Sequence, residues 1–211
     1  MAQLQTVVGV QNNQDSATPT TARGGHQGEV LVSELQPRYY VQNYYKNKFY
    51  GSSGAVPSVT TVALATTYTG LCIYNPSGSN TNLILTKVGY SFLVAFPAAS
   101  TIGLMVGWAA TGVTTASAAA SPGACSLIGG TPSTPNGKVA LSATLVGTPT
   151  LHTIFGEGLT GAITTVPESM NIVDLEGSVI LAPGAYAAIY TSTISGAASL
   201  AASFEWIEAP L

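Results

Sequence analysis

The chain has 211 residues, of which 46% are hydrophobic and only 7% are charged. The length is sufficient for one domain with an appendage, and the hydrophobic content excludes a chain that is disordered throughout. Typical globular proteins carry roughly 25% charged residues, so this surface must be covered by uncharged polar side chains or by partner molecules.

The charges are distributed unevenly. Residues 1–58 hold four cations and three acids, whereas residues 59–211 hold two cations and six acids. Binding to a phosphate backbone requires a strongly basic surface, and neither part of the chain has one. We therefore expect no nucleic-acid partner.

The first 27 residues, which include "QNNQDSATPTTARGGHQ", are polar and lack periodicity. They predict an extended segment that becomes ordered only where something holds it. The opening "MAQLQTVVGVQNNQ" has no basic leader, which argues against a signal peptide. The following "GEVLVSEL" alternates weakly and predicts a short strand.

Residues 38–50, "RYYVQNYYKNKFY", combine six aromatic and three cationic residues without an acid. The pattern is compatible with one or two helical turns and also with an extended chain. Tyrosine has an apolar body and a polar tip and loses little conformational entropy on binding, which favours it at protein interfaces. Docking onto another protein is therefore the favoured interpretation, ahead of packing back onto the chain's own β-domain and of stacking on sugars or bases. The candidate docking residues are Arg38, Tyr39, Tyr40, Tyr44, Tyr45, Lys46, Lys48, Phe49 and Tyr50.

From about Ser58 onwards, short runs rich in β-branched and aromatic residues alternate with Gly, Pro, Asn and Ser, which is typical of an all-β domain. The turn residues of "NPSGSN" predict a hairpin that pairs Leu71–Tyr74 with Leu83–Val88. In "NLILTKVGYSFLVAF", one apolar face is predicted, formed by Ile84, Val88, Tyr90, Phe92, Val94 and Phe96.

The next stretch, "TIGLMVGW", alternates and predicts one face formed by Ile102, Leu104, Val106 and Trp108. Residues 109–124, "AATGVTTASAAASPGA", predict a low-complexity loop because Gly, Thr and Pro oppose a helix. The segment "KVALSATLV" predicts a strand between two turns.

The end of the chain has the clearest pattern. Pro183 and Gly184 predict a turn between two strands. The final "SLAASFEWIEAP" predicts a strand with Leu200, Ala202, Phe204 and Trp206 on its core-facing side.

Roughly ten predicted strands and no convincing long helix indicate an all-β fold. We expect an antiparallel β-sandwich of the jelly-roll-like kind over residues 59–211, preceded by an extended N-terminal arm over residues 1–58. The uncharged span between Lys87 and Lys138 is interrupted by Pro, Gly and Ser, so no membrane-spanning segment and no membrane partner are predicted.

The sequence contains little that indicates chemistry. His152 lacks the neighbouring motif of a nucleophilic enzyme, and the six acids of residues 59–211 contain no recognisable pair for glycoside hydrolysis. Cys72 and Cys125 are interpreted as buried free thiols, with a disulfide left open. We expect neither enzyme activity, nor a metal, nor a cofactor.

Three stretches resemble the head decoration, or cement, proteins of tailed bacteriophages. They are "GEVLVSELQPRYY", "GLCIYNPSGSNTNLILTKVGYSFLVAF" and "LAPGAYAAIYTSTISGAASLAASFEWIEAP". The resemblance lies in strand texture, in the N-P-S-G and P-G turns, and in the terminal strand that carries a tryptophan.

This resemblance implies a structural virion protein, made in the host cytoplasm and located on the capsid exterior. Such a protein would bind the major capsid protein, bridge neighbouring capsid subunits and form a homo-oligomer, with a trimer favoured. The alternative interpretation is a carbohydrate- or receptor-binding module of a phage tail or of a surface adhesin.

Overall fold

The computed structural model describes residues 5–7, 19–21, 37–53, 63–92, 96–118, 122–127, 133–158, 170–194 and 200–211. The strand predicted in "GEVLVSEL" lies outside these residues. The chain divides into two compact units, Met1–Tyr40 and Val41–Leu211.

Within the described residues, the chain forms one short helix and thirteen strands, so the predicted all-β character is confirmed. The elements are α1 (Tyr40–Tyr44), β1 (Gln5–Val7), β2 (Pro19–Thr21), β3 (Lys48–Ser52), β4 (Thr67–Tyr74), β5 (Thr81–Phe92), β6 (Ser100–Trp108), β7 (Thr114–Ala118), β8 (Gly123–Ala124), β9 (Lys138–Thr144), β10 (Thr150–Gly158), β11 (Met170–Leu181), β12 (Ala185–Thr191) and β13 (Leu200–Pro210).

The N-terminal unit contains a two-stranded antiparallel sheet of β1 and β2. The second unit contains a six-stranded sheet in the order β10-β6-β12-β4-β9-β7 and a five-stranded sheet in the order β11-β5-β13-β3-β8. One hydrophobic cluster takes side chains from both, including Leu71 and Leu104 from the six-stranded sheet and Leu85 and Phe204 from the five-stranded sheet. The predicted β-sandwich is thus confirmed, and the jelly-roll-like connectivity stays a prediction.

Strand β3 lies inside the five-stranded sheet, where it pairs with β13 and β8. The sandwich therefore includes residues 48–52, which the sequence analysis placed in the arm over residues 1–58. The compact unit that contains the sandwich begins at Val41.

The terminal strand β13 occupies the centre of the five-stranded sheet. As predicted, Leu200, Ala202, Phe204 and Trp206 are all buried on one side of it. The ring centroids of Trp206 and Phe49 are 6.1 Å apart, so β13 and β3 contribute neighbouring aromatic rings to the core.

The predicted hairpin between Leu71–Tyr74 and Leu83–Val88 is wrong. Strand β4 pairs with β12 and β9, whereas β5 pairs with β11 and β13, so the two strands lie in different sheets. The buried Asn75 fixes the crossing by donating from Nδ2 to the carbonyl oxygens of Thr81 and Leu181, at 2.8 and 2.9 Å. Alternation alone does not distinguish strands that pair from strands that face each other across a core.

The predicted apolar face of β5 is confirmed only for its second half. Val88 and Phe92 are buried as expected, but Leu83 and Leu85 are buried in place of Ile84. The cause is an extra residue at Thr86, where the pairing with β13 skips one position and its Oγ1 donates to the carbonyl oxygen of Glu205 at 3.0 Å. A β-bulge of this kind reverses which alternate side chains face the core.

The predicted loop over residues 109–124 is partly wrong. β7 pairs with β9, and β8 pairs with β3, so this region contributes short strands to both sheets. The predicted strand in "KVALSATLV" is confirmed as β9. The Pro183-Gly184 turn is also confirmed, and it joins β11 to β12 across the two sheets.

The six-stranded sheet is buried on its outer face as well as on its inner face. A second hydrophobic cluster lies there, formed mainly by Tyr68, Cys72, Met105, Tyr186 and Ala188. These residues alternate with core-facing ones along their strands, which explains why β4 and β12 read as nearly continuous apolar runs.

The outer face of the five-stranded sheet carries charges. Lys87 on β5 lies directly opposite Asp174 on β11 and Glu205 on β13. Glu205 also forms an ion pair with Lys48 on β3. Opposite charges at facing positions favour this strand order.

Candidate docking surface

The structure separates the predicted docking residues into three groups. They are Arg38, Tyr39 and Tyr40 in the N-terminal unit, Tyr44, Tyr45 and Lys46 where α1 ends, and Lys48, Phe49 and Tyr50 on β3. Both local structures that the sequence left open are therefore present, a helical turn followed by an extended strand. In the N-terminal unit, the guanidinium carbon of Arg38 lies 5.3 Å from the centroid of the Tyr39 ring.

Residues 41–47 form a compact turn, here called the tyrosine turn. The amide of Lys46 donates to the carbonyl oxygen of Asn43 at 3.0 Å, and the amide of Asn47 donates to that of Gln42 at 2.9 Å. This pair of hydrogen bonds is the Schellman arrangement that ends many helices. It requires a left-handed residue, and Lys46 supplies one with φ of 58°.

The tyrosine turn displays two aromatic rings. Tyr44 and Tyr45 are both exposed, Tyr45 by 53%, and their ring centroids are 5.6 Å apart in an edge-to-face arrangement. Val41, one helical turn before Tyr45, is exposed as well. The turn therefore offers an apolar and aromatic surface to a partner.

The turn is anchored to the body of the sandwich by hydrogen bonds. Ser133 Oγ donates to the carbonyl oxygen of Lys46 at 2.7 Å. The amide of Glu208 on β13 donates to the carbonyl oxygen of Asn47 at 2.9 Å. The two hydrogen bonds thus hold the backbone that follows Tyr44 and Tyr45.

The Glu208 carboxylate organises the loop that contacts the turn. It is buried and accepts from the Asn136 amide at 3.1 Å, from Asn136 Nδ2 at 3.0 Å and from the Gly137 amide at 2.8 Å. It also accepts from Trp206 Nε1 at 3.2 Å. A buried carboxylate with four donors fixes this loop in one position. The sequence did not single out Glu208, because Asn136 and Gly137 lie about seventy residues earlier in the chain.

Strand β3 divides its predicted docking residues between core and surface. Phe49 is buried against Trp206, whereas Tyr50 is exposed and lies across Gly123, where a Cβ would meet its ring at 2.8 Å. For Phe49, the alternative of packing onto the chain's own sandwich is the one realised.

Lys48 is buried with its charge compensated. Its side chain is only 6% exposed and forms an ion pair with Glu205, and its Nζ lies 4.0 Å from Cys125 Sγ. Burial raises the pKa of the Cys125 thiol, while the positive charge of Lys48 acts in the opposite direction. Lys48 therefore stabilises the sheet and does not contribute to a contact surface.

Both cysteines are free thiols, as the sequence analysis favoured. Cys72 is fully buried, and burial raises the pKa of its thiol to about 12. Cys125 is only partly buried, which differs from the expectation for that residue.

The described residues contain no group of three or more His, Cys, Asp or Glu side chains that could hold a metal ion. His152 is exposed on β10, and its Nδ1 lies 2.6 Å from Thr153 Oγ1. The described part of the chain also contains no helix of the length and apolarity needed to cross a bilayer.

The geometry thus provides an aromatic contact surface on a fixed turn. The chain matches no protein-family model, no curated protein and no solved structure.

Proposed function

We propose that this protein is a structural virion protein that decorates the outer surface of a phage capsid and cements neighbouring capsid subunits. The observation that carries this proposal is the exposed pair Tyr44 and Tyr45 on a turn anchored to a charge-poor β-sandwich. The resemblance of its strand texture to phage decoration proteins supplies the biological setting.

The anchoring of the tyrosine turn supports a docking role. A contact residue that is already fixed loses less entropy on binding than one on a mobile segment. The backbone amide of Glu208 and the hydroxyl of Ser133 donate to carbonyl oxygens of the turn, so the backbone that carries the two rings is fixed. Two such rings are a small contact by themselves, and a specific interface requires about 1,000 Å² or more of buried surface. Further contacts from the same copy or from neighbouring copies must contribute.

Several copies acting together would supply that area. An oligomer, with a trimer favoured, engages several capsid subunits at once, and each contact raises the effective concentration of the next. Weak individual contacts then suffice to coat and brace an assembled shell. The major capsid protein is the proposed partner.

The test measures binding of the full chain to purified, undecorated heads of the virus that encodes it, by co-sedimentation. The doubly substituted variant Tyr44→Ser, Tyr45→Ser should bind at least about tenfold more weakly, because it removes both aromatic contacts. The control is Ile172→Ser on β11, which removes an exposed apolar side chain at the far edge of the five-stranded sheet. Failure of the unmodified chain to bind heads, or equal binding by the double variant, would contradict the proposal.

A further inference from the structure

Trp108 is exposed at the end of β6, with 61% of its surface accessible. Sequence alternation predicted that it would face the core with Ile102, Leu104 and Val106. Those three residues do pack in or against the core, but Trp108, the last residue of β6 and the partner of Ala185 in β12, is exposed. Tryptophan has an apolar body and a polar N–H, a combination that is enriched at contact surfaces.

The indole ring is held in a fixed position. Trp108 Nε1 donates to the carbonyl oxygen of Pro183 at 2.9 Å. Pro183 belongs to a tight turn closed by a 2.9 Å hydrogen bond from the Ala185 amide to the Ala182 carbonyl oxygen. The turn requires glycine at position 184, where φ is 88° and a Cβ would collide with the carbonyl oxygen of Ala109. The ring is thus displayed by a turn that constrains it.

A cavity of about 400 Å³ lies beside this ring, on the side of the sandwich where β11 faces β6, β10 and β12. Its wall includes apolar side chains from both sheets and two polar side chains. Among its lining residues are Val106, Trp108, His152, Ser178, Ile180 and Leu181. Ligand sites commonly combine an apolar wall with a few polar groups that fix orientation.

An irregularity in β11 places Ser178 at this cavity. The pairing with β5 jumps from Asp174 to Val179, and the residues between include Glu176 and Gly177 with φ of 51° and 82°. The Glu176 amide donates to Asp174 Oδ1 at 3.0 Å, which closes the bulge locally. Bulges of this kind redirect side chains and occur frequently beside functional sites.

The chemistry of the lining restricts the ligand. Among the described residues that line the cavity there is no Lys, Arg, Asp or Glu, so neither an anion nor a cation finds a counter-charge. The exposed indole face suits aliphatic C–H groups, and His152 and Ser178 can donate to and accept from hydroxyl groups. We propose that this cavity binds a neutral pyranose sugar, with one face of the sugar ring on the indole of Trp108.

The experiment titrates the full chain with methyl β-glucopyranoside, methyl β-galactopyranoside, methyl α-mannopyranoside and N-acetylglucosamine. Saturation-transfer NMR detects binding, and a change in tryptophan fluorescence on binding reports on Trp108, since Trp206 is fully buried and out of reach of a ligand. At least one of these sugars should bind saturably with millimolar affinity, and glucose 6-phosphate should bind no more tightly. Trp108→Ala should weaken binding by about tenfold or more.

Two further variants make the test specific. Ser178→Ala should weaken binding without removing the ring, which keeps the test valid if Trp108→Ala fails to fold. Tyr44→Ser, Tyr45→Ser should bind sugar unchanged, so loss of sugar binding and loss of capsid binding are separable. The proposal would be overturned if no sugar bound saturably, or if the folded Trp108→Ala protein bound sugar with unchanged affinity. It would also be overturned if N-acetylproline amide, a neutral probe that is not a sugar, bound more tightly than every sugar.

Discussion

The outer faces of the two sheets differ in the side chains they carry. The six-stranded sheet buries tyrosine, cysteine and alanine on its outer face, whereas the outer face of the five-stranded sheet carries Lys87, Asp174 and Glu205. The facing charges on β11, β5, β13 and β3 are among the few in a chain that is only 7% charged. These charges therefore lie on the outer face of the five-stranded sheet, whereas the outer face of the six-stranded sheet carries a buried apolar cluster.

The two candidate binding surfaces also lie at different places. The tyrosine turn leads into β3 of the five-stranded sheet, whereas Trp108 ends β6 of the six-stranded sheet, beside a cavity that β11 also lines. The predictions below test whether the two sheets respond differently to matched changes.

Trp206 lies in the core shared by both sheets, so its truncation should have the largest effect on stability. Trp206→Ala should lower the free energy of unfolding by about 3–5 kcal/mol, because it empties a fully buried site. Denaturant unfolding would measure this. Trp108→Ala is the matched control and should cost less than about 1 kcal/mol. Similar costs for the two variants would contradict the assignment of one indole to the core and the other to the surface.

A matched alanine pair compares the two outer faces directly. Ala188→Asp places a carboxylate in the buried cluster of the six-stranded sheet and should cost at least about 3 kcal/mol. Ala201→Asp places the same group on the outer face of β13 and should cost less than about 1 kcal/mol. Thermal unfolding of both variants gives the contrast. If Ala188→Asp were tolerated, the outer face of the six-stranded sheet would be accessible to water.

Two buried tyrosines test the interior of the second cluster. Tyr68 OH donates to the carbonyl oxygen of Ile189 at 3.0 Å, whereas Tyr186 OH is buried without a hydrogen-bond partner among the described residues. Tyr68→Phe should cost about 1 kcal/mol, and Tyr186→Phe should be neutral or slightly stabilising. Urea unfolding measures the free-energy cost of each substitution. A larger cost for Tyr186→Phe than for Tyr68→Phe would show that the hydroxyl of Tyr186 has a partner.

The smallest effect concerns the turn that leads into the five-stranded sheet. Lys46 holds a left-handed conformation that glycine adopts without strain. Lys46→Gly should therefore raise the free energy of unfolding by about 0.5–1 kcal/mol. Lys46→Ala keeps the strain and is the control. A loss of stability in Lys46→Gly would mean that the side chain of Lys46 contributes more than its backbone strain costs.

The fold class was predictable because alternation is a local signal. Strand β13 showed it without interruption, and Trp206 was placed correctly in the core. Pairing was not predictable in the same way. The strands on either side of Asn75 both had apolar faces, and it is their pairing with distant strands that shows that the chain crosses between sheets there.

The candidate site was predictable only in part. The aromatic run drew attention to the correct stretch, but composition could not separate the buried Phe49 from the exposed Tyr45. Glu208, which fixes the neighbouring loop, carries no local signal, because its partners come from a distant segment. Thr86 shows the same limit, since a single inserted residue changes which side chains of β5 face the core.

A reconstruction of the native particle by electron cryomicroscopy tests the central claim most directly. The chain should appear on the outer surface of the head, with Tyr44 and Tyr45 in contact with a capsid subunit. Density for the chain elsewhere in the particle, or a tyrosine turn that faces solvent in every copy, would contradict a cementing role through this surface.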